Sequence, residues 1–490
     1  MTDLTNVASS PPNKSFPAYR LVQEPKLTFH PERKDDQHVH PLKGLLQFGP
    51  YSRSMLYQVF DPIRVATIYP YGMSGKLDNL LREFERKHFP RERKQYLVEY
   101  IGFSRIFGLR VVRAEGSGVN VELPQDTTAV IASSKKTHTE LAERVKRALT
   151  LLQANRSEFD LVMILLPDSW QAGFDGKAAS EDFDLHDYIK AVTATRGVPS
   201  QIIREQSALN YHCRASVMWR LSIAIYCKAG GVPWKLANTD PDMAYVGLSY
   251  AVRPPKTGQQ QFVTCCSQVF DSDGTGLEFL AYDTADPHVE QDNPFLDRNE
   301  MRRVMARSLA LYQKRHDGRP PKRVAVHKTT HFTDEEIEGC FDAWSGAEEV
   351  ELLQVQQDSP WKGVLMEPMP QADKRLHANN YPCLRGTYIH LGGSEILLWT
   401  QGNAPGVAGG QDYYKEGKGI PSPLLLKRFA GHGDWDEASR WLVGLTKMDF
   451  NNDALYDRMP VTLNYARTLA RTLKRLPHLG SQQFQFRFFM

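Results

Sequence analysis

Hydrophobic and polar positions alternate along this chain with two periods, and the switches between them predict its elements. Residues 63–69 (IRVATIY) form an apolar, β-favouring run, and residues 76–87 carry apolar groups at helical spacing with charges between them, so a strand followed by an amphipathic helix is expected. A long helix is predicted over 139–153 (TELAERVKRALTLLQ). It leads into 160–166 (DLVMILL), apolar enough to be a strand buried on both faces. Strands that alternate with helices in this way imply a parallel sheet. A polar stretch, ANTDPD, then marks a boundary. Beyond it, 244–251 (AYVGLSYA) reads as a strand, and QQQFVTCCSQVFDS, a turn at 271–276 and GLEFLAYD read as an antiparallel hairpin. A helix over 299–316, a strand over 323–327, the runs YIHLGG and EILLWTQG, a Gly-rich loop at 403–419 and two amphipathic helices complete a second α/β lobe.

At the amino end, the first sixteen or so residues are polar and rich in Pro and Ser, which predicts a loose arm with order starting near Tyr19. Residues 24–51 hold a short β-like run, a charged turn and a Gly-Pro stop, and read as a strand and loop. The expected division is an arm at 1–18, a first lobe with its leading segment at 19–240 and a second lobe at 241–490, whose strand and helix order suits a ribonuclease H-like sheet. No internal repeat or heptad pattern appears.

Composition narrows the function classes. With 490 residues, 41% hydrophobic and 24% charged, the chain can bury several cores, which excludes wholesale disorder. No apolar stretch approaches the roughly 18 residues of a membrane helix, and the first residues lack the apolar run of a signal peptide, so a soluble, cytoplasmic protein without membrane contact is expected. Six scattered cysteines with no C-x-x-C pair read as reduced core thiols. A net charge of +3 does not argue for a nucleic-acid partner, so local charge has to.

Among chemical motifs, His327 and His331 in HKTTH lack the glutamate of a zinc-protease helix and begin inside a strand, which makes a structural histidine the simpler reading; DSDGTG reads as a hairpin turn. There is no phosphate-binding G-x-x-x-x-G-K-[ST] loop and no G-x-S-x-G elbow. Anion binding has better support. His186 and Lys190 lie one helical turn apart, Gln201 follows a Gly-Val-Pro-Ser turn, and Lys228 precedes Ala-Gly-Gly. Together these could surround a terminal phosphate, although on spacing alone solvated surface residues are the simpler reading. From Asn464 to Met490 there is no acidic residue, while Arg467, Arg471, Lys474 and Arg475 recur at helical spacing, a basic face suited to a phosphate backbone. Arg204 is a further candidate for backbone contact. The ending FQFRFFM is apolar and aromatic, which places the terminal carboxylate near a packed core.

Taken together, the leading EPKLTF…GLLQFGPY, HDYIKAVTATRGVPSQIIRE, YCKAGGVPWKL with YVGLSYA, VAVHKTTHF, LRGTYIHLGGSEILLWTQG and LTKMDFNN…MPVTLNYA resemble, in family order, the MID and PIWI lobes of short prokaryotic Argonautes. The resemblance runs from about Glu24 to the C-terminus. It implies a Rossmann-like MID domain and a ribonuclease H-like PIWI domain. It also implies that His186, Lys190, Gln201 and Lys228 hold the 5′-phosphate of a guide strand, and that the Met490 carboxylate with Gln201 coordinates a structural Mg²⁺ shared with that phosphate.

For catalysis the resemblance implies the opposite. Slicing members use carboxylates to hold two metal ions. The matching positions here are Ser249, Thr329 and Arg467, which cannot bind a metal pair, so the chain itself is expected not to be an enzyme. The implied role is recognition of invader single-stranded DNA through a 5′-phosphorylated guide RNA, in antiviral or plasmid defence. Activity is then delegated to an APAZ-containing partner of TIR, sirtuin-like or nuclease type, held in a heterodimer. Two alternatives stand beside it: a metal-dependent nuclease with substituted ligands drawn from Asp271, Asp273, Glu278 or Asp283, and a nucleic-acid-binding protein that uses no guide.

Overall fold

The computed structural model describes residues 19–490 apart from 56–58, 135, 179–180, 257–258, 275, 277–278, 285–287, 291–292, 369–375, 409–410, 414–418 and 474–481. In the first lobe, strands β1 (Ile63–Tyr69), β2 (Val111–Arg113), β3 (Asn120–Glu122), β4 (Leu161–Leu166) and β5 (Ser200–Arg204) form one parallel sheet in the order β5-β4-β1-β2, with β3 also on β1. The sequence reason is plainest in β4, where every residue is buried. Its side chains alternate with period two: Leu161, Met163 and Leu165 join one core, and Val162, Ile164 and Leu166 join the other. Helices α2 (Ser74–Glu83) and α5 (Arg214–Lys228) cover the first face, and α3 (Thr137–Gln153) and α4 (Leu185–Thr195) cover the second.

One element departs from expectation before this sheet begins. Residues 41–48, read as loop, form helix α1 (Pro41–Phe48). Pro41 sits in its first turn, where the missing N–H costs nothing, and His40 caps it by accepting from the Lys43 N–H. Pro41 therefore starts a helix inside the expected loop, and the glycine of the Gly-Pro stop, Gly49, ends it by donating its N–H to Leu45 O.

The second lobe is built on a ten-stranded sheet. Its strands are β6 (Met243–Lys256), β7 (Gln259–Asp271), β8 (Phe279–Thr284), β9 (Arg323–Lys328), β10 (Glu349–Gln356), β11 (Thr387–His390), β12 (Glu395–Leu398), β13 (Leu424–Ala430), β14 (Gln482–Phe484) and the short Arg20–Leu21. Antiparallel β8-β7-β6 continues into parallel β6-β9-β10, the order expected of a ribonuclease H-like sheet. Helices α6 (Arg298–Arg315) and α7 (Asp334–Ala343) pack on one face, and α8 (Trp435–Leu445) and α9 (Val461–Leu473) on the other. The Gly-rich stretch is not all loop, since Ala404–Ala408 and Gln411–Tyr413 pair as a small hairpin.

Two segments cross between the lobes. Arg20–Leu21 pairs with β11 on the edge of the large sheet, although it precedes the first lobe in sequence. At the other end, β14 pairs with β8, and the chain then runs into the first lobe with Phe488, Phe489 and Met490 all buried. Cys213, Cys227, Cys340 and Cys383 are buried free thiols.

Candidate functional site

Four elements converge on one cavity of about 350 Å³. Asp184 caps α4 by accepting from the Asp187 N–H at 2.9 Å, and this fixes the turn that carries His186 and Lys190 toward the cavity. β5 supplies Gln201, the last residue of α5 is Lys228, and the terminal Met490 closes the wall. The structure therefore brings together all four residues expected to form the pocket, with the C-terminal carboxylate beside them.

The polar contacts are close and mostly buried. Lys190 Nζ donates to Ser200 O at 2.6 Å and to a terminal oxygen of Met490, while Lys228 Nζ donates to Gln201 Oε1. Gln201 in turn donates from Nε2 to Ile202 O at 3.1 Å. Lys190 and Lys228 are only 2% and 1% exposed. Burial, with mutual repulsion added, pushes Lys190 well below the usual lysine range, and burial brings Lys228 down to about 7. His186 is also held below its ordinary value by desolvation, despite a nearby Asp187 carboxylate at 3.5 Å. Both lysines stand on a cavity whose described lining offers one carboxylate, that of Met490, and an anionic ligand would favour their charged forms.

Sequence reasoning missed Arg220, Asn451 and Asp187. Arg220 lines the same cavity, and its Nε has no partner among the described residues. Its signal was present in the spacing, because Arg220, Ala224 and Lys228 repeat every four residues along one face of α5. Asp187 pairs with Arg471 Nε at 2.8 Å and joins α4 to α9, so this half of the basic C-terminal face does reach the cavity. Of the other backbone candidates, Arg204 and Arg467 do not line it. Arg204 stacks over Phe174 at 4.8 Å, Arg467 is engaged by the Gln357 amide, and Lys474 lies outside the described residues.

The terminal carboxylate and Gln201 Oε1 are hard oxygens of the kind Mg²⁺ takes, although here they accept from Lys190 and Lys228. Asp184, His186 and Asp187 also offer ligand atoms within 4.8 Å of one another, but Asp184 is occupied as a helix cap and Asp187 by Arg471.

The titration of Lys228 has a measurable consequence. Its folded value of about 7 lies below the unfolded value of about 10.4, so the unfolded chain binds more protons between them, and stability rises with pH across that window. For the chain freed of anions, the thermal midpoint of wild type relative to Lys228→Met should climb from pH 7 to pH 9 and stay flat below pH 6. Saturating phosphate should flatten the climb.

In the second lobe, Ser249 follows Leu248, whose parallel partner is Lys328, and Thr329 follows Lys328. The serine and threonine thus stand side by side, Ser249 midway along β6 and Thr329 just past the end of β9. Helix α9, which carries Arg467, packs on β6 and β7 and is tied to β9 by His327 Nδ1 and Thr462 Oγ1 at 3.0 Å. Asp271 and Asp273 are at the other end of these strands. Asp271 is paired with Ala244, five residues or ~17 Å from Ser249, and is bridged by His316, while Asp273 pairs with Lys235. Glu278 lies outside the described residues. Asp283 pairs with Val263, which pairs with Ala251, so its backbone lies on the same sheet two residues along from Ser249.

These two lobes, with the C-terminus threaded back into the first, define an Argonaute-like fold. The solved structures that the chain resembles include Clostridium butyricum Argonaute bound to a guide DNA and a 19-mer target DNA, with a TM-score of 0.61 and 16% identity over 96% of this chain and 54% of that one. Aquifex aeolicus Argonaute gives 0.60 at 14% identity over 97% and 57%, and Drosophila Piwi 0.57 at 15% over 96% and 56%. The chain spans about half the length of these proteins. No protein-family model matches the sequence, and no curated protein matches it. Among the described residues no helix is long and apolar enough to cross a membrane.

Proposed function

We propose that this chain is a guide-dependent nucleic-acid sensor that binds the 5′-phosphate of a guide RNA in the first lobe, pairs that guide with single-stranded DNA, and does not cut the target. The observation that carries the reading is the buried pair Lys190 and Lys228 on one cavity with Gln201, Arg220 and too few acids to balance them. A 5′-phosphate is dianionic near neutral pH and matches this excess through charge-assisted hydrogen bonds. Clostridium butyricum Argonaute, solved with guide and target DNA, shares the fold and supports such partners here. Bound Mg²⁺, held by the Met490 carboxylate and Gln201, would offset repulsion between that carboxylate and the phosphate.

Absence of cutting follows from the chemistry of Ser249, Thr329 and Arg467, two hydroxyls and a cation where a metal pair needs carboxylates. A guide-loaded chain incubated with labelled complementary DNA and Mg²⁺ or Mn²⁺ should leave the target full length on a denaturing gel. Metal-dependent cleavage lost on Asp283→Asn would favour the nuclease reading instead. The signal is then passed to a second protein, and the resemblance to short Argonautes makes an APAZ-containing effector, of TIR, sirtuin-like or nuclease type, the proposed partner in cytoplasmic defence against phages or plasmids. Co-expressed chains should co-elute as a heterodimer on size exclusion.

The direct test extracts nucleic acid from the purified protein and end-labels it with and without prior phosphatase treatment. Short RNA that labels only after phosphatase is the expected result. A random-length mixture with 5′-hydroxyl ends would favour binding without a guide.

A further inference from the structure

A second cavity, of about 840 Å³, opens beside the C-terminal ends of β9 and β10, close to Ser249 and Thr329. Its wall is unlike that of the first. Asn293, Thr330, Gln354 and Gln356 supply amides and a hydroxyl, Phe295 and His331 supply rings, and among the described residues no carboxylate, lysine or arginine lines it. Beneath it one ion pair is closed on itself. Lys328 Nζ donates to both Glu336 oxygens at 2.6 Å, and is enclosed by the rings of Tyr250, Phe295 and Phe332 at 5.3, 4.6 and 5.4 Å.

We infer that this cavity is a nucleobase-binding site, which takes one unpaired base of the target strand. The inference rests on the guide-sensor reading only for the source of that base. A phosphate would meet no cation among the described lining residues, so this lining favours a base over the backbone. Carboxamides present a donor and an acceptor together, the combination with which Asn and Gln read base edges. His331, exposed and seated on the buried Phe295 with ring centroids 4.6 Å apart, offers a surface on which a base can stack. Gln354 is 6% exposed and held in place by donating from Nε2 to Thr329 O at 3.2 Å, and Thr330 Oγ1 is shut off from solvent with no partner among the described residues. A fixed amide beside an orphaned hydroxyl is a site prepared for an uncharged polar ligand.

The test uses two variants. His331→Ala/Gln356→Leu changes only exposed side chains, and Gln354→Leu changes the buried amide. Guide-loaded protein is titrated with targets in which one abasic position is moved along the strand. Wild type should show one position where base removal weakens binding about tenfold more than at its neighbours. That dip should disappear in both variants, with affinity for the 5′-phosphorylated guide unchanged. A flat scan in wild type, or a dip that survives in both variants, would overturn the site. A parallel arm needs no guide: saturation transfer from the full chain to free deoxynucleosides should reach their base protons in wild type and be lost in the variants. Transfer in a protein that ignores 5′-phosphates would keep this site and remove the guide reading, whereas no transfer counts against the site itself.

Discussion

Lys190→Ala and Lys228→Ala should each weaken binding of a 5′-phosphorylated strand by roughly 10- to 150-fold, the equivalent of about 1.5–3 kcal/mol for a lost charged hydrogen bond. Binding of the same strand with a 5′-hydroxyl should change little. The contrast is the informative quantity, because a general loss of fold or of backbone contacts would lower both. Each lysine should matter separately. Lys190 is anchored by Ser200 O and the C-terminus and Lys228 by Gln201, so removing one leaves the other in place. The ratio of the two affinities, measured by fluorescence anisotropy, should collapse toward one in the double variant. A ratio that survives there would place the phosphate elsewhere. Arg220→Ala provides a further check on the residue that sequence reading missed, and should lower the same ratio.

Glu24→Ala should destabilise the chain by about 3–5 kcal/mol, the usual consequence of leaving buried charge unmatched. Glu24 Oε1 accepts from Lys447 Nζ at 2.8 Å and Oε2 from Arg385 Nε at 2.9 Å, and both cationic side chains are fully buried. Burial alone would raise the Glu24 carboxyl, yet Arg385 and Lys447 hold it below the usual range. Its contribution is therefore present above the unfolded value of about 4.3 and lost as pH falls through the lower folded value. Lys447 also donates to Pro25 O and Val39 O, both at 2.7 Å, so the same ammonium fastens the leading segment. A denaturant midpoint for Glu24→Gln between those of wild type and Glu24→Ala would fit, since glutamine keeps the shape but not the charge. No change in either variant would show the network to be incidental.

The leading segment also shows where pattern reading stops. Nothing in residues 24–51 announces that Glu24 meets Lys447, more than four hundred residues away, or that Pro41 opens a helix and does not end one. Strands such as β1 and β4 were legible because their signal is local: β1 matches the run read from its apolar pattern, and β4 is apolar at every position because both its faces are covered, whereas β2, β3, β10 and helices α5 and α7 were not read. The candidate phosphate residues were legible in kind, as two lysines, a histidine and an amide. Their convergence was not, because spacing along a chain does not say which helix face meets which strand end.

By itself, then, the sequence determined the alternation that makes two α/β lobes, the absence of carboxylates at Ser249, Thr329 and Arg467, and an apolar C-terminus that had to be buried. Only the tertiary structure decided that Met490 is buried against Lys190, that Arg220 and Arg471 join the same cavity while Arg204 and Arg467 do not line it, and that a second, uncharged cavity opens beside Thr329. The physical reason is range. Periodicity and turn chemistry act over a few residues, whereas a binding cavity is formed where long-range packing brings distant side chains together and shuts out the water that would otherwise solvate their charges.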